Sequence, residues 1–263
     1  FGRIALKGQQ ETEDGLDSVS GKASKVGDVF LKGIGTIAKW GAAAAATAAT
    51  ATAALVKSAV TAYADYEQLV GGVETLFKDS AGEVQKYAAN AYQTAGLSAN
   101  EYMETVTGFS ASLLQSLDGD TKAAAEKANV AITDMSDNAN KMGTSMESIQ
   151  NAYQGFAKQN YTMLDNLKLG YGGTKEEMQR LLEDAEKLSG QKFDLSSYAD
   201  IVDAIHVVQT EMGITGTTAK EAATTIQGSV NMTKAAWQNL IVGIADDTQD
   251  FDVLVNNFVE SVT

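Results

Sequence analysis

The 263-residue chain carries a formal charge of −14 and contains one histidine, no proline and no cysteine, although average usage would supply about 13 prolines. Without cysteine there is no disulfide framework, no Cys-ligated zinc or iron–sulfur site and no thiol nucleophile. With His206 as the single histidine, a multi-histidine metal site is excluded, and a Ser-His-Asp arrangement would have to use that residue.

The missing prolines favour long uninterrupted helices, because proline removes a backbone donor and clashes with the preceding turn. Charge is unevenly placed along the chain. Residues 1–57 hold seven Lys or Arg and five Asp or Glu, a net of +2, and the remainder holds 13 and 29, a net of −16. A body of that sign repels phosphate backbones, so no specific nucleic-acid binding is expected.

Residues 1–27, rich in Gly, Ser, Lys and acidic side chains with little periodicity, read as a linker or partial segment. Trp40 to Val56 is a charge-free run of 17 residues with ten alanines and three threonines, flanked by Lys39 and Lys57. Alanine is the best helix former, so a long Ala-rich helix is expected within 28–78, running to the pair Gly71 and Gly72, a candidate hinge. Trp40 and Val56 mark the ends of a self-association helix or, alternatively, a membrane segment. As a helix the run spans about 25 Å against a hydrocarbon core of about 30 Å, and its small residues suit close helix packing, so association is preferred over spanning.

From Ser80 onward, Ser or Thr is repeatedly followed three residues later by Glu: Ser80 with Glu83, Ser98 with Glu101, Thr144 with Glu147, Thr174 with Glu177, and Thr218 with Glu221. Each pair fits a capping box, in which two orphan N–H groups are satisfied reciprocally. Gly96, Gly119, Gly143, Gly190 and Gly213 fit left-handed helix ends. Between them run helical stripes: Tyr102, Val106, Phe109, Leu113 and Leu117; Met178, Leu181, Leu182, Ala185 and Leu188; Ile201, Ile205, Val208 and Met212. The expectation is an all-α protein in which a long N-terminal helix precedes a bundle of seven or eight shorter helices, with the globular block at 79–245. At 246–263 a further amphipathic helix begins, with Phe251, Leu254, Val255, Phe258 and Val262 at helical spacing; because Thr263 lies inside it and the chain starts at Phe1, the sequence reads as a fragment.

Candidate chemistry is sparse. His206 has Asp203 three residues before it, which would suit an oriented general base, but a boundary histidine making one structural hydrogen bond is the better reading. Asp134, Asp137, Asn138 and Asn140 resemble a cation cluster, yet their spacing does not fit a calcium loop, and the stripe Met135, Ala139 and Met142 makes them a solvated helix face. LGYGGT at 169–174 lacks the lysine of a phosphate-binding loop. No cofactor or metal is implied. The longest stretch without a helical pattern, Asn160 to Gly173, is of a length that is often functional inside a compact domain. Its Tyr161, Met163, Leu164, Leu167 and Tyr171 either dock a partner or another part of the same chain, or cover the bundle core.

NAYQGFAKQNYTMLDNLKLGYGGTKEEMQRLLEDAEKL, residues 151–188, resembles a distinctive block of the tape measure proteins of siphophages and prophages of Gram-positive bacteria. Collinear support comes from 66–117, from DMSDNANKMGTSMESIQ at 134–150, and from GITGTTAKEAATTIQGSV with AAWQNL at 213–240, so the resemblance covers about residues 60–245. It implies a non-enzymatic virion structural protein that occupies the tail tube lumen, sets tube length, and has itself, the tail tube and other tail components as partners. The implied locations are the virion tail, the host cytoplasm during assembly and the host membrane during ejection. No sustained heptad pattern runs through the chain, so a measuring coiled coil is expected outside it. The alternative is a membrane-active module that inserts its Ala-rich helix during genome ejection. Some tape measure proteins carry peptidoglycan hydrolase domains elsewhere, but the lone His206 argues against an enzyme here.

Overall fold

The chain is all-α in a computed structural model that describes residues 18, 21–25, 48–222 and 226–261. Eleven α-helices follow one another among these residues: α1 (Ala48–Phe77), α2 (Ala81–Thr94), α3 (Ala99–Thr107), α4 (Ser110–Ser116), α5 (Thr121–Met142), α6 (Met146–Phe156), α7 (Lys175–Ser189), α8 (Tyr198–Glu211), α9 (Thr217–Ala222), α10 (Ile226–Ala245) and α11 (Phe251–Ser261). Short 3₁₀ turns lie at Lys78–Ser80 and Leu164–Leu167. Trp40 and the rest of the Ala-rich run up to residue 47 lie outside the described residues, while Val56 lies within α1. The helix does not stop at Gly71 and Gly72 as expected but passes through both to Phe77. Two glycines cost an interior helix about 2 kcal/mol, and the buried Val73 and Phe77 beyond them anchor the final turn.

Contacts divide the chain into two units, Gln68–Ala235 and the pair of segments Phe1–Glu67 and Ala236–Thr263. The larger unit is organised around α5, against which α2, α3, α4, α6, α8, α9 and both 3₁₀ turns pack, and α7 and α8 form an adjacent pair. Its core holds Phe77, Tyr102, Met103, Phe109, Leu113, Ile132, Met135, Ile149, Tyr153, Phe156, Leu164 and Leu167, all almost completely buried. Each such side chain contributes about 1.5–3 kcal/mol of apolar burial.

The expected stripes are buried for most of their length. Met178, Leu181, Leu182 and Ala185 are buried on α7, and Ile201, Ile205 and Val208 on α8, but Leu188 and Met212 at the helix ends are exposed. The stripe from Tyr102 to Leu117 is apolar as expected but not one helix: the chain breaks after Thr107, and Phe109 stands between α3 and α4. Breaks of this kind raise the helix number above that expected.

Helix ends follow glycine closely and capping boxes only in part. Gly96, Gly119, Gly143, Gly190 and Gly213 all have positive φ, between 63° and 82°, where a side chain would be strained. Ser98 and Glu101 form the full box, and Thr174 accepts from the Glu177 N–H. At the other three expected boxes the hydroxyl is engaged elsewhere. Ser80 meets the Thr121 hydroxyl at 3.0 Å. Thr144 donates to the Asn166 carbonyl at 3.1 Å, and the neighbouring Ser145 caps α6 instead. Thr218 lies inside α9, whose first turn is held from another helix. Asp120 and Ser197 supply caps outside the S/T-x-x-E pattern.

In the smaller unit, Ala23, Ala59, Leu240, Ile241, Ile244 and Phe251 form a core, with Trp237, Leu254, Val255 and Phe258 packed against it. The Trp237 and Phe258 ring centroids are 5.2 Å apart. The stripe expected on α11 is the face that packs here, apart from Val262, which lies outside the described residues. The buried Asp246 shapes the turn before α11 by accepting from the Thr248 N–H and hydroxyl and from the Gln249 amide, all within 2.8 Å.

Ser98→Ala removes one side of the only complete expected box, so it is predicted to destabilise the larger unit by about 1 kcal/mol, read as a lower urea midpoint with an unchanged slope.

Candidate functional site

The most unusual feature of the larger unit is the face of α5 that carries Asp134, Asp137 and Asn138. Spacings of three and four residues place these side chains on one side of the helix. They are not solvated: their exposures are 1%, 0% and 0%, while Ala139 and Met142 of the expected apolar stripe are only half-buried. The physical reason lies in what surrounds the helix. Segments packed on that side present backbone groups that no helix satisfies, and short polar side chains reach them.

Asp137 is the clearest case. One of its carboxylate oxygens accepts from the Gly216 N–H at 2.6 Å and the other from the Thr218 N–H at 2.7 Å. It thus caps α9 from a helix about 80 residues earlier, and anionic charge at that N-terminus is favoured by the exposed peptide dipoles. Asn138 donates to the Leu167 carbonyl at 3.0 Å, fixing the 3₁₀ turn. Asn140 donates to Glu221 at 2.7 Å, and Ser136 donates to the Ala95 carbonyl at 2.7 Å. Ser136 and Asn140 also line a cleft of about 350 Å³ between Ala95, Thr144, Met146 and Thr218, so its polar wall is already engaged within the chain.

His206 on α8 meets Asp134 across the same face. Its Nδ1 lies 2.8 Å and 3.0 Å from the two carboxylate oxygens. This is the single structural hydrogen bond expected of it, with Asp134 rather than Asp203 as partner, because Asp203 is held in an ion pair by Lys127. The hydrogen bond to Asp134 raises the imidazole pKa above its ordinary value against the opposing effect of burial. Burial in turn raises the Asp134 carboxyl, partly offset by His206. Beside the pair, the buried Gln209 amide faces the Tyr153 hydroxyl without reaching hydrogen-bond geometry, and burial holds that phenol well above its usual range. Among the described residues no group of three or more metal-ligating side chains comes together.

The loop Asn160–Gly173 is folded back onto the bundle. Tyr161, Leu164 and Leu167 are buried within this chain, so their proposed docking role loses its support; Met163 and Tyr171 are half-buried. Tyr161 packs 6.3 Å from the Phe156 ring and donates to the Leu195 carbonyl at 3.3 Å. Tyr171 is clasped to α7: its hydroxyl donates to Asp184 at 3.1 Å, and the Arg180 guanidinium lies 4.3 Å from its ring centroid. Arg180 also donates to the Gly170 carbonyl at 2.8 Å, and Glu177 accepts from the Gly172 N–H at 2.9 Å. At the loop's end the backbone passes so close to Thr162 that a Cβ on Gly173 would lie 2.3 Å from its carbonyl oxygen. Sequence reasoning identified the loop and its residues but not Gly173, Arg180 or Asp184 as the groups that close it.

Asp137→Ala leaves two N–H groups at the start of α9 without their acceptor and is predicted to destabilise the unit by about 2–4 kcal/mol in urea unfolding, with Asp137→Asn recovering part of the loss. Gly173→Ala is predicted to lower the urea midpoint further than Gly143→Ala, whose added methyl meets nothing within 4 Å and costs only the left-handed strain of about 1 kcal/mol.

No protein-family model matches the chain, and neither a curated protein nor a solved structure matches it, so what this arrangement can do rests on its own geometry.

Proposed function

We propose that the chain is a structural, non-enzymatic part of a phage tail tape measure protein, contributing its helical block to the contents of the tail tube. The observation that carries this reading is where the distinctive stretch of residues 151–188 falls. It runs from α6 through the clasped loop into α7, and it contains the groups that clasp the loop to α7, Tyr171, Gly172, Glu177, Arg180 and Asp184, together with Gly173 at the close backbone passage. Groups that tie a loop to its own chain are what a building block needs. The resemblance therefore fits a self-contained structural module rather than a displayed binding loop.

Two further observations support a structural role. The described residues form helices joined by loops, with no strand among them, and the polar side chains buried on α5 are used mainly to cap and tether neighbouring segments. The pairing that resembles catalytic chemistry, buried Asp134 with half-buried His206, is a contact between two helices. The membrane alternative draws no support from the described helices, none of which is long and apolar enough to cross a bilayer.

An antibody raised against residues 68–235 is expected to detect the protein in purified tails and to label the tube lumen in tails opened by shearing. Its absence from tails that contain the other tail proteins would overturn the proposal. Flotation with anionic liposomes tests the membrane reading, and the chain is expected to stay in the unbound fraction.

A further inference from the structure

We propose that His206 and Asp134 form a proton-operated latch between α8 and α5, closed below neutrality and released as the pH rises. The latch stands on geometry. Asp134 is 1% exposed, and both its oxygens lie within hydrogen-bond distance of one imidazole nitrogen. The His206 side chain is 38% exposed, so protons reach the ring from solvent while its partner stays inside. A buried carboxylate is tolerated only when paired, so the charge on the ring decides whether this seam is satisfied.

The surrounding carboxylates favour the protonated pair, and Lys127 opposes them at His206. On α5, Asp137 lies one turn beyond Asp134, and Lys127 lies two turns before it. Asp203 is on the same helix as His206. Asp137 and Asp203 both disfavour charge on Asp134, and Lys127, which disfavours charge on His206, is itself paired with Asp203. From α6, the Tyr153 phenol faces Asp134. The helix α4, packed on α8, has no ionisable residue, and on α7 Arg180 pairs with Glu177 and Lys187 with Asp184. Once His206 is neutral, its remaining N–H can still donate, but Asp134 has lost the opposite charge that compensates a carboxylate buried near other carboxylates.

The seam has little else to replace the lost pair. One turn past His206, the fully buried Gln209 and the Tyr153 hydroxyl contribute no completed hydrogen bond. The Lys127–Asp203 ion pair ties the other end. Release is therefore local to the C-terminal half of α8.

The sign follows from linkage. His206 and Asp134 are both raised in the folded chain, so each contributes stability that is fully present below its unfolded value and lost as the pH climbs through its folded value. For His206 that window opens above about 6.5, the ordinary imidazole value. Because the chain has one histidine and no cysteine, no other imidazole and no thiol titrates in that window.

The test is an NMR titration of the single imidazole combined with hydrogen exchange and urea unfolding between pH 6 and 9. The expected results are an imidazole midpoint above 6.5, loss of amide protection across 204–210 as that midpoint is passed, and a urea midpoint that falls over the same range. Each pH unit of separation between folded and unfolded values corresponds to about a tenfold change in the unfolding constant. In His206→Gln, which keeps a donor but does not titrate in this range, the fall should vanish. An imidazole that titrates at or below its ordinary value in the intact protein would overturn the latch, whether or not the variant folds. A His206→Gln variant that folds and keeps the full pH dependence would also overturn it.

Discussion

The larger unit depends on a polar seam in its central helix. A helix surrounded by neighbours must satisfy whatever those neighbours present, and around α5 they present the first N–H groups of α9, a carbonyl of the 3₁₀ turn and the imidazole of α8. Apolar side chains could fill the same space but could not meet these groups. Leaving a buried peptide N–H without an acceptor costs about 1–3 kcal/mol. Asp137 and Asn138 therefore stand where a simple core would place Leu or Ile, and they define which segment docks where. Hydrophobic burial on the rest of α5, at Ala124, Ala128, Ile132 and Met135, supplies attraction without that selectivity.

The same division of labour explains the loop. Tyr161, Leu164 and Leu167 drive it inward by burial, but its path is fixed by polar and backbone constraints: the Asn138 amide on Leu167, the Arg180 guanidinium on Gly170 and on the Tyr171 ring, and the close passage of Gly173 over Thr162. Lys168 adopts a positive φ of 53° within it, and its ammonium returns to the Met142 carbonyl at 2.9 Å. A loop tied at so many points is part of the scaffold.

Which parts of this were legible in the sequence follows from the range of the forces involved. Glycine at a helix end reports a purely local requirement, a left-handed φ, and all five expected positions adopt it. Apolar spacing reports burial one helix at a time, which is why the stripes on α7 and α8 were readable while the break at Phe109 was not. Capping boxes are local patterns whose members have other options. Ser80 and Thr144 found partners on distant segments, and Asp137 capped α9 from a helix that no spacing rule links to it. Asp134 and Asp137 were misread for the same reason. A polar residue beside an apolar stripe marks a solvated face only if the helix has a solvated face, and a central helix has little of one.

Burying charge in the hub has a consequence for how the block responds to its surroundings. A core of Leu and Ile carries no group that titrates, whereas a carboxylate held by one imidazole loses its compensating positive charge over a narrow range of pH. Zero cysteines and zero prolines leave no redox switch and no proline-isomer switch. The remaining sensitive element inside the larger unit is the single histidine, and it is placed on Asp134, a buried carboxylate held by a titratable side chain rather than by backbone N–H groups. Asp137 is held by two peptide N–H groups, donors that do not titrate, so the α5–α9 junction lacks the proton-dependent partner on which the α5–α8 junction rests.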